Sequence, residues 1–374
     1  MLNVNKVLVI GGGIGGMSAA ILLRKAGVDV DLVEIDPEWR VYGAGITISG
    51  PTLRAFKTVG VLPAIMEQGW CADGATICDA NGKQLLEIPT PRVAGPDVPG
   101  AGAILRPVLA RILSKETLAV GASVRLGTTF TDITPVGDQV KVSFTDGHSG
   151  TYDLVIGADG LHSKVRDRIF PDAPKPKYTG QGSWRAVVPR IPGIDGATVF
   201  MGVTTKAGVN PVSKDEMYLF CLDKRATNDY IPQEQWPEIL AGLLIEFGGP
   251  VADIRDNMNA DSRILYRPLE AMMMPAPWHS GRVVLLGDTV HATTPHLASG
   301  AGIAVEDAVV LVEELSRGGL IEDTLQRYVQ RRHARCSLVV NNSLRLGQIE
   351  IDGGSNEEHG SLMRDSIIAL AAPI

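Results

Sequence analysis

Apolar and polar positions at the start of the chain change period twice. Lys6 to Ile10 is a short apolar run of the kind that fills a parallel strand buried on both faces. A glycine turn follows, and Ser18 to Ala26, rich in Ala and Leu and ended by Gly27, predicts a helix. Val28 to Val33 then alternates into a second strand ending at Glu34. Strand, helix, strand in this order predicts a right-handed βαβ unit.

From about 71 to 100 the pattern breaks into short segments punctuated by Asn81-Gly82, Pro89, Pro91, Pro96 and Pro99, which predicts hairpins and loops outside that unit. Helical spacing returns at 106–119. Strands are expected at Val124–Leu126, Val140–Phe144 and Leu154–Ile156, with Asp146-Gly147 as a hairpin turn. Between about 175 and 270 alternation dominates, at Gly182–Val188 and Glu216–Leu222, with one helical patch at Trp236–Phe247; this predicts an antiparallel sheet carrying a helix. A strand at Val283–Leu286 and a long helix from about Gly302 to Arg317 return the chain to the first unit, with further helices to about 350. The last residues, Ser366 to Ile374, suit a short helix or a dimer contact. The expected fold class is α/β: a Rossmann-like domain with a parallel sheet from 1–70, 101–174 and 275–374, and a smaller domain on an antiparallel sheet from 71–100 and 175–274.

With 374 residues, 45% of them hydrophobic, the chain can bury a sizeable core. A net charge of −7 gives no electrostatic footprint for nucleic acid, and no Lys/Arg run would hold an anionic membrane. No secretory signal and no membrane-spanning run is seen, so a cytoplasmic monomer or homodimer is expected. Cys71, Cys78, Cys221 and Cys336 form no CxxC pair, and the seven histidines form no HxxxH or HExxH spacing; no metal is expected. Met272-Met273-Met274 suits gap-filling core.

The candidate chemistry begins in the glycine turn. Gly11, Gly13, Ile14, Gly15 and Gly16 belong to the run GGGIGG, whose glycines meet the needs of a dinucleotide turn: a tight bend, a bare backbone against a pyrophosphate, and close helix–strand packing. The helix N-terminus offers unpaired N–H groups to the phosphates. Glu34 lies 18 residues beyond Gly16 at the end of the second strand, where a carboxylate accepts ribose hydroxyls. This motif does not separate FAD from NAD. Asp288 follows an apolar strand and precedes a loop whose Gly300 and Gly302 leave backbone N–H groups free. A carboxylate at a strand's carboxyl end suits polyol hydroxyls.

Most of the chain resembles the flavoprotein aromatic monooxygenases, the group of salicylate hydroxylase, para-hydroxybenzoate hydroxylase and FAD-dependent urate hydroxylase. The resemblance rests on Gly43-Ala44-Gly45-Ile46 with Pro51 and Arg54; on Arg106 after Ala103-Ile104-Leu105; on Asp153 to Gly160 with Ser163, Val165 and Arg166; and on Gly287-Asp288 with His291 and Pro295. It implies that Ala44 and Gly45 approach the flavin, that Arg106 contacts it, that Asp159-Gly160 serves the FAD and NAD(P)H pyrophosphates, and that Asp288 binds the ribityl chain. Gly300, Ala301 and Gly302 would face the flavin edge, and Arg40 either approaches the adenosine or stays a solvated surface cation. Two positions depart from the family: Ala298-Ser299-Gly300 stands where relatives have Gly-Gln-Gly, and Thr52 where many have Asn.

The resemblance implies a cycle in which NAD(P)H reduces bound FAD, O2 adds at flavin C4a, and the hydroperoxide hydroxylates a small aromatic or heteroaromatic substrate. Candidate substrate contacts are Trp184-Arg185 and Tyr218 on the middle sheet, and Pro295 and His296 on the flavin-facing loop. His291 reads more readily as a hydrogen-bonded structural histidine than as a catalyst. Two alternatives stay open at this level: an FAD-dependent reductase or other flavin oxidoreductase on the same fold, and a non-catalytic binding protein of the prenyl-protein escort type.

Overall fold

The computed structural model describes residues 3–374. Its first sheet has six strands in the spatial order His279–Ser280, Val283–Leu285, Leu154–Gly157, Lys6–Ile10, Asp29–Glu34 and Ser123–Leu126. All neighbours run parallel except the short edge strand His279–Ser280. The inner strands read as unbroken apolar runs because helices cover the sheet, so Val7 to Ile10 and Leu154 to Ile156 are all buried. The first helix starts at Ile14, directly out of the glycine turn, four residues before its apolar period becomes visible. Gly15 and Gly16 lie inside it: their low propensity hides the first turn from a pattern reading, and packing overrides that propensity.

A second, seven-stranded sheet runs in the order Arg263–Ala271, Lys177–Pro189, Glu216–Lys224, Lys206–Pro211, Ala197–Met201, Ala75–Asp79 and Gln84–Ile88. It departs from the expected antiparallel sheet at one place, where Ala197–Met201 pairs parallel with Ala75–Asp79. The helical patch expected at Trp236–Phe247 is the helix Trp236–Leu243, and a second, unexpected helix, Gly249–Asp256, follows it, opening where Gly249 adopts φ +52° ahead of Pro250. One face of this sheet packs on those helices around Trp184, Met217, Leu219, Cys221 and Tyr266.

The stretch 71–100 is shared between two cores. Its hairpin joins the seven-stranded sheet, with Gly82 at φ +90° in the turn, while Ala94 and Val98 pack with the first core. Residue 71 itself lies in the strand Trp70–Ala72, which pairs with Ala101–Leu105; that strand in turn pairs with Gly45–Ser49. This small sheet stands between the two larger ones.

The helix Gly300–Ser316 covers the parallel sheet and packs on the 32-residue helix Ile321–Asp352, which also reaches the seven-stranded sheet. Gly353, at φ +63°, ends that helix in the left-handed conformation, and Asn356–Ala371 follows. The chain's end is therefore a full helix of 16 residues. Among the described residues no helix is long and apolar enough to cross a membrane.

Candidate active site

The dinucleotide turn is closed as its glycines require. Gly11 has φ +109° and lies against the Ala158 carbonyl, and a side chain on Gly16 would strike the Gly11 carbonyl. Glu34 accepts the Gly12 N–H at 2.7 Å and the Asp36 N–H at 2.9 Å. The carboxylate expected to meet the ribose is thus already anchored to the turn. Trp39, which sequence reasoning did not single out, donates its indole N–H to the Gly12 carbonyl at 2.8 Å. Arg40 is bound at the surface to Asp36, at 3.1 Å, and its guanidinium lies over Tyr42.

Asp159 spends both carboxylate oxygens on its own chain. Ser163 Oγ donates at 2.5 Å, and the N–H groups of Lys164 and Val165 donate at 2.7 and 3.1 Å. Its direct part is to hold the helix Lys164–Ile169, while Gly160 at φ +81° turns its N–H toward Thr289.

Gly287 and Asp288 are held from behind by a buried cluster. Asp307 accepts the Gly287 N–H at 2.9 Å, the His291 Nε2 proton at 2.5 Å and the Arg332 Nε proton at 2.7 Å. His291 is therefore a structural histidine, with Trp278 beside its ring. Cys336 joins the group, and the ligand-type atoms of His291, Asp307 and Cys336 lie within 4.8 Å of one another. Arg332 already stands on Asp307 and is itself buried, so a guanidinium occupies the position a cation would take. No sequence spacing announces this group, because its members lie 16 and 29 residues apart and meet only through tertiary packing.

The cleft side is different. Among the described residues the Asp288 carboxylate accepts no hydrogen bond, and Arg106 keeps a buried Nε without a partner. Asp288 is open to the cleft but enclosed by protein elsewhere. Burial raises its pKa, with Asp307 adding to the rise and His291 and Arg106 opposing it. Arg106 opens the helix Arg106–Ala119, its N–H bonded to the Ala44 carbonyl at 3.0 Å. Its side chain passes Gly43 so closely that a Cβ there would lie 2.6 Å from Arg106 Cδ. Gly45 has the same relation to the Tyr218 ring, and Gly302 to Thr52. Gly302 is thus required for packing the helix Gly300–Ser316 against Thr52, while Gly300 and Ala301 open that helix with the unpaired N–H groups of a first turn.

Alternation along Lys177–Pro189 decides which candidates face the cleft. Trp184 is fully buried on the other face in the second core and is not a substrate contact. Arg185 lies on the cleft face, paired across the sheet with Phe220. Arg185 has no hydrogen bond and no carboxylate within 4.0 Å among the described residues. Burial and the neighbouring Arg106 pull its pKa down to about 10, against Tyr218, so it stays cationic at neutral pH. Tyr218 is buried, its hydroxyl 2.5 Å from Thr47 Oγ1, to which Asn210 donates at 3.2 Å. Burial pushes the phenol up, and it stays neutral at pH 7. Thr47 and Asn210 escaped sequence reasoning because nothing local marks them.

His296 is a correction. Its side chain is fully buried and points away from the cleft, with Nδ1 2.9 Å from Thr294 Oγ1 and Nε2 3.3 Å from Glu350. What this position exposes is main chain. Glu350 also receives Lys206 and, at 3.0 Å, His359. Burial raises its pKa, but the two imidazoles and Lys206 outweigh that and hold it far below the usual carboxylate range. Pro295 begins the short turn Pro295–Leu297, and its carbonyl accepts the Ala298 N–H at 2.9 Å.

A profile of the FAD binding domain family matches residues 5–343. The chain belongs to this FAD-binding family. YetM of Bacillus subtilis, assigned as an FAD-dependent monooxygenase, is 33% identical over 94% of this chain and 95% of its own length. The 2-heptyl-3-hydroxy-4(1H)-quinolone synthase of Pseudomonas aeruginosa PAO1 is 32% identical over 92% and 90%. Among solved structures, a variant of Klebsiella pneumoniae HpxO complexed with FAD superposes with a TM-score of 0.83 at 25% identity, covering 98% of this chain and 94% of that one. The protein is an FAD-dependent aromatic monooxygenase of the para-hydroxybenzoate hydroxylase-like fold that uses NAD(P)H and O2.

The site fits FAD on its own evidence. The chain offers a glycine turn closed to side chains at Gly11 and Gly16, an anchored ribose-side carboxylate, an unbonded Asp288 and an unpaired Arg106 donor. FAD held there supplies electron transfer from NAD(P)H and activation of O2. The chain's own share is to seat that group and to present a ring to it in a site closed to water.

Asp288 makes the cost of an empty seat measurable. A carboxyl whose folded pKa is raised contributes stability below its unfolded pKa and loses it as pH rises through the carboxylate range. In apoprotein at pH 7, Asp288→Asn is expected to raise Tm. The gain should vanish below about pH 3, where aspartate is protonated in both states. The same variant should bind FAD at least about tenfold more weakly, the loss of roughly one charge-assisted hydrogen bond. Thermal melts across pH and flavin fluorescence titration check both arms.

Proposed function

We propose that the ring hydroxylated by this monooxygenase carries an acidic group, a carboxylate or a phenol or enol that ionises on binding, and that Arg185 holds the anion. The observation behind this is a cationic side chain on the cleft face with no anionic partner of its own. Buried charges are ordinarily paired, so the partner is expected from the substrate. Arg106 and Asp288 would then serve the flavin side, with Ala44, Gly45, Gly300 and Ala301 as its backbone lining. Tyr218 would form the side of the ring pocket, and Pro295 and His296 would contribute backbone only. The 6-hydroxynicotinate named as substrate of a Bordetella bronchiseptica relative bears a ring hydroxyl and a carboxylate, in keeping with this class. The dinucleotide part is assigned to 1–70, 101–174 and 275–374, and the ring-binding sheet to 175–274 with the 75–88 hairpin. The enzyme is expected to work in the cytoplasm, where NAD(P)H is available.

The test is a panel of hydroxylated and carboxylated aromatics and heteroaromatics with their methyl ether and ester counterparts. NAD(P)H oxidation, peroxide release and product mass are followed together. Acidic rings are expected to accelerate NAD(P)H consumption and gain one oxygen; equal turnover of the neutral counterparts would remove the assignment of Arg185.

A further inference from the structure

One carboxylate joins four elements that are far apart in the chain. Glu350 stands near the end of the helix Ile321–Asp352. Its oxygens face His296 Nε2 at 3.3 Å, from the turn Pro295–Leu297, and His359 Nε2 at 3.0 Å, from the last helix. Two strands of the seven-stranded sheet complete the set, with Gln181 Nε2 at 3.4 Å from Lys177–Pro189 and the Lys206 ammonium from Lys206–Pro211.

The helix is shaped around this meeting. Gly347, three residues before Glu350, is its single glycine in 32 residues, and glycine weakens a helix interior. A Cβ there would lie 2.8 Å from Gln181 Oε1 and 2.9 Å from His296 Cε1. A bare backbone at 347 is therefore what lets these two side chains pass the helix and reach Glu350.

Two of the four partners border the reaction site. His296 is gripped on its other side by Thr294, with Nδ1 2.9 Å from Oγ1, so its imidazole strings the turn to the helix. That turn ends on Ala298 at φ +47°, a left-handed conformation that a residue with a side chain keeps only when its surroundings hold it. The turn leads directly into Gly300 and Ala301. Lys206 lies on the cleft face of the sheet: it alternates with Gly208, which stands opposite Phe220, the residue paired with Arg185.

We propose that Glu350 is a positioning residue for ring hydroxylation: by holding His296 and Lys206 together it fixes the turn before the flavin-lining helix against the sheet that carries the ring. It acts through these two side chains and not on the reacting atoms. The demand is one of register, since a misplacement of about 1 Å can cost on the order of 100-fold in a positioned reaction. The competing loss, in which NAD(P)H, O2 and a proton end as NAD(P)+ and H2O2, needs no ring in place. Glu350 plays this part whichever group Arg185 binds.

The test uses the FAD-loaded enzyme, the variants Glu350→Gln and His296→Asn, and whichever ring of the panel gives oxygenated product, acidic or neutral. Product and peroxide formed per NAD(P)H are read together with FAD Kd and with amide hydrogen exchange by mass spectrometry. Each variant is expected to lower product per NAD(P)H at least about threefold, peroxide making up the difference, with FAD Kd and the rate of flavin reduction within about twofold. Exchange in 293–300 should speed up at least about tenfold while that of Lys6–Ile10 stays as in wild type. The double variant should be no worse than the poorer single one, because the two side chains act as one unit, and Glu350→Asp should fall between Glu350→Gln and wild type. If Glu350→Gln does not fold, Lys206→Met carries the same readouts. An unchanged product ratio in both variants overturns the proposal whether or not exchange rises. So does additive loss in the double variant, or a lower ratio with exchange in 293–300 unchanged.

Discussion

Replacing Asp307 by alanine is expected to lower the unfolding free energy of the apoprotein by about 3–5 kcal/mol, the usual effect of breaking a buried ion pair from one side. The Asp307 carboxylate serves His291, Arg332 and the Gly287 N–H at 2.5 to 2.9 Å, and all three side chains are at most 1% exposed. Removing it leaves a buried guanidinium with Glu306 as its one remaining carboxylate, beside the Ile303 carbonyl, and an imidazole with no acceptor. The pH dependence has a definite sign. Burial raises the Asp307 pKa, but His291 and Arg332 outweigh it and hold it below its ordinary value, so its contribution is lost as pH falls through the carboxylate range. His291 is raised well above its ordinary value, against burial, by Cys336 and Asp307; its contribution is complete below about pH 6.5 and is lost as pH rises through the higher folded value. Urea unfolding across pH should therefore show a broad wild-type maximum that Asp307→Ala flattens, with Asp307→Asn in between. The same variant should weaken FAD, because the loop presenting Asp288 loses its anchor. A loss of under about 1 kcal/mol would show that the cluster relaxes without its carboxylate.

Replacing Arg185 by methionine is expected to reduce kcat/KM for the acidic ring identified in the panel by roughly 30-fold to several thousand-fold, or about 2–5 kcal/mol, the range for truncating one partner of a buried charge pair. Methionine keeps much of the volume and removes the charge. Because the residue makes no hydrogen bond within the protein, FAD affinity should change little, and the apoprotein's Tm should rise, since a buried cation crowded by Arg106 is removed. Lysine should recover only part of the activity, since a point charge does not reproduce the planar fork. The deciding comparison is a neutral ring of the same shape. If the variant slows both equally, Arg185 supports the pocket wall and does not hold an anion.

Much of the nucleotide-binding half was legible in the chain because its requirements are local. Lys6–Ile10, the glycine turn and Glu34 sit close together in sequence, and the steric demands on Gly11 and Gly16 leave almost no other residue possible. Arg106 was placed at the first position of its helix because helical spacing returns there after Ala103-Ile104-Leu105. The first turn of the initial helix was missed because glycine carries no helical pattern, and the helix Gly249–Asp256 because Gly248-Gly249-Pro250 reads locally as a breaker.

What the amino-acid order by itself determined is the dinucleotide turn and the strand–helix alternation, since each is a matter of backbone sterics and short-range period; Asp159-Gly160 and Gly287-Asp288 were marked by the family resemblance. Tertiary structure alone decided which side chains share a carboxylate and which way each points. Asp307 meets His291 and Arg332, Glu350 turns His296 away from the cleft, and strand alternation sends Trp184 into the core and Arg185 toward the ring. These are contacts between residues 16 to 54 positions apart, or a choice between two faces of one strand. The physical reason is that burial and pairing energies are settled by the packing of whole layers, which no local spacing encodes.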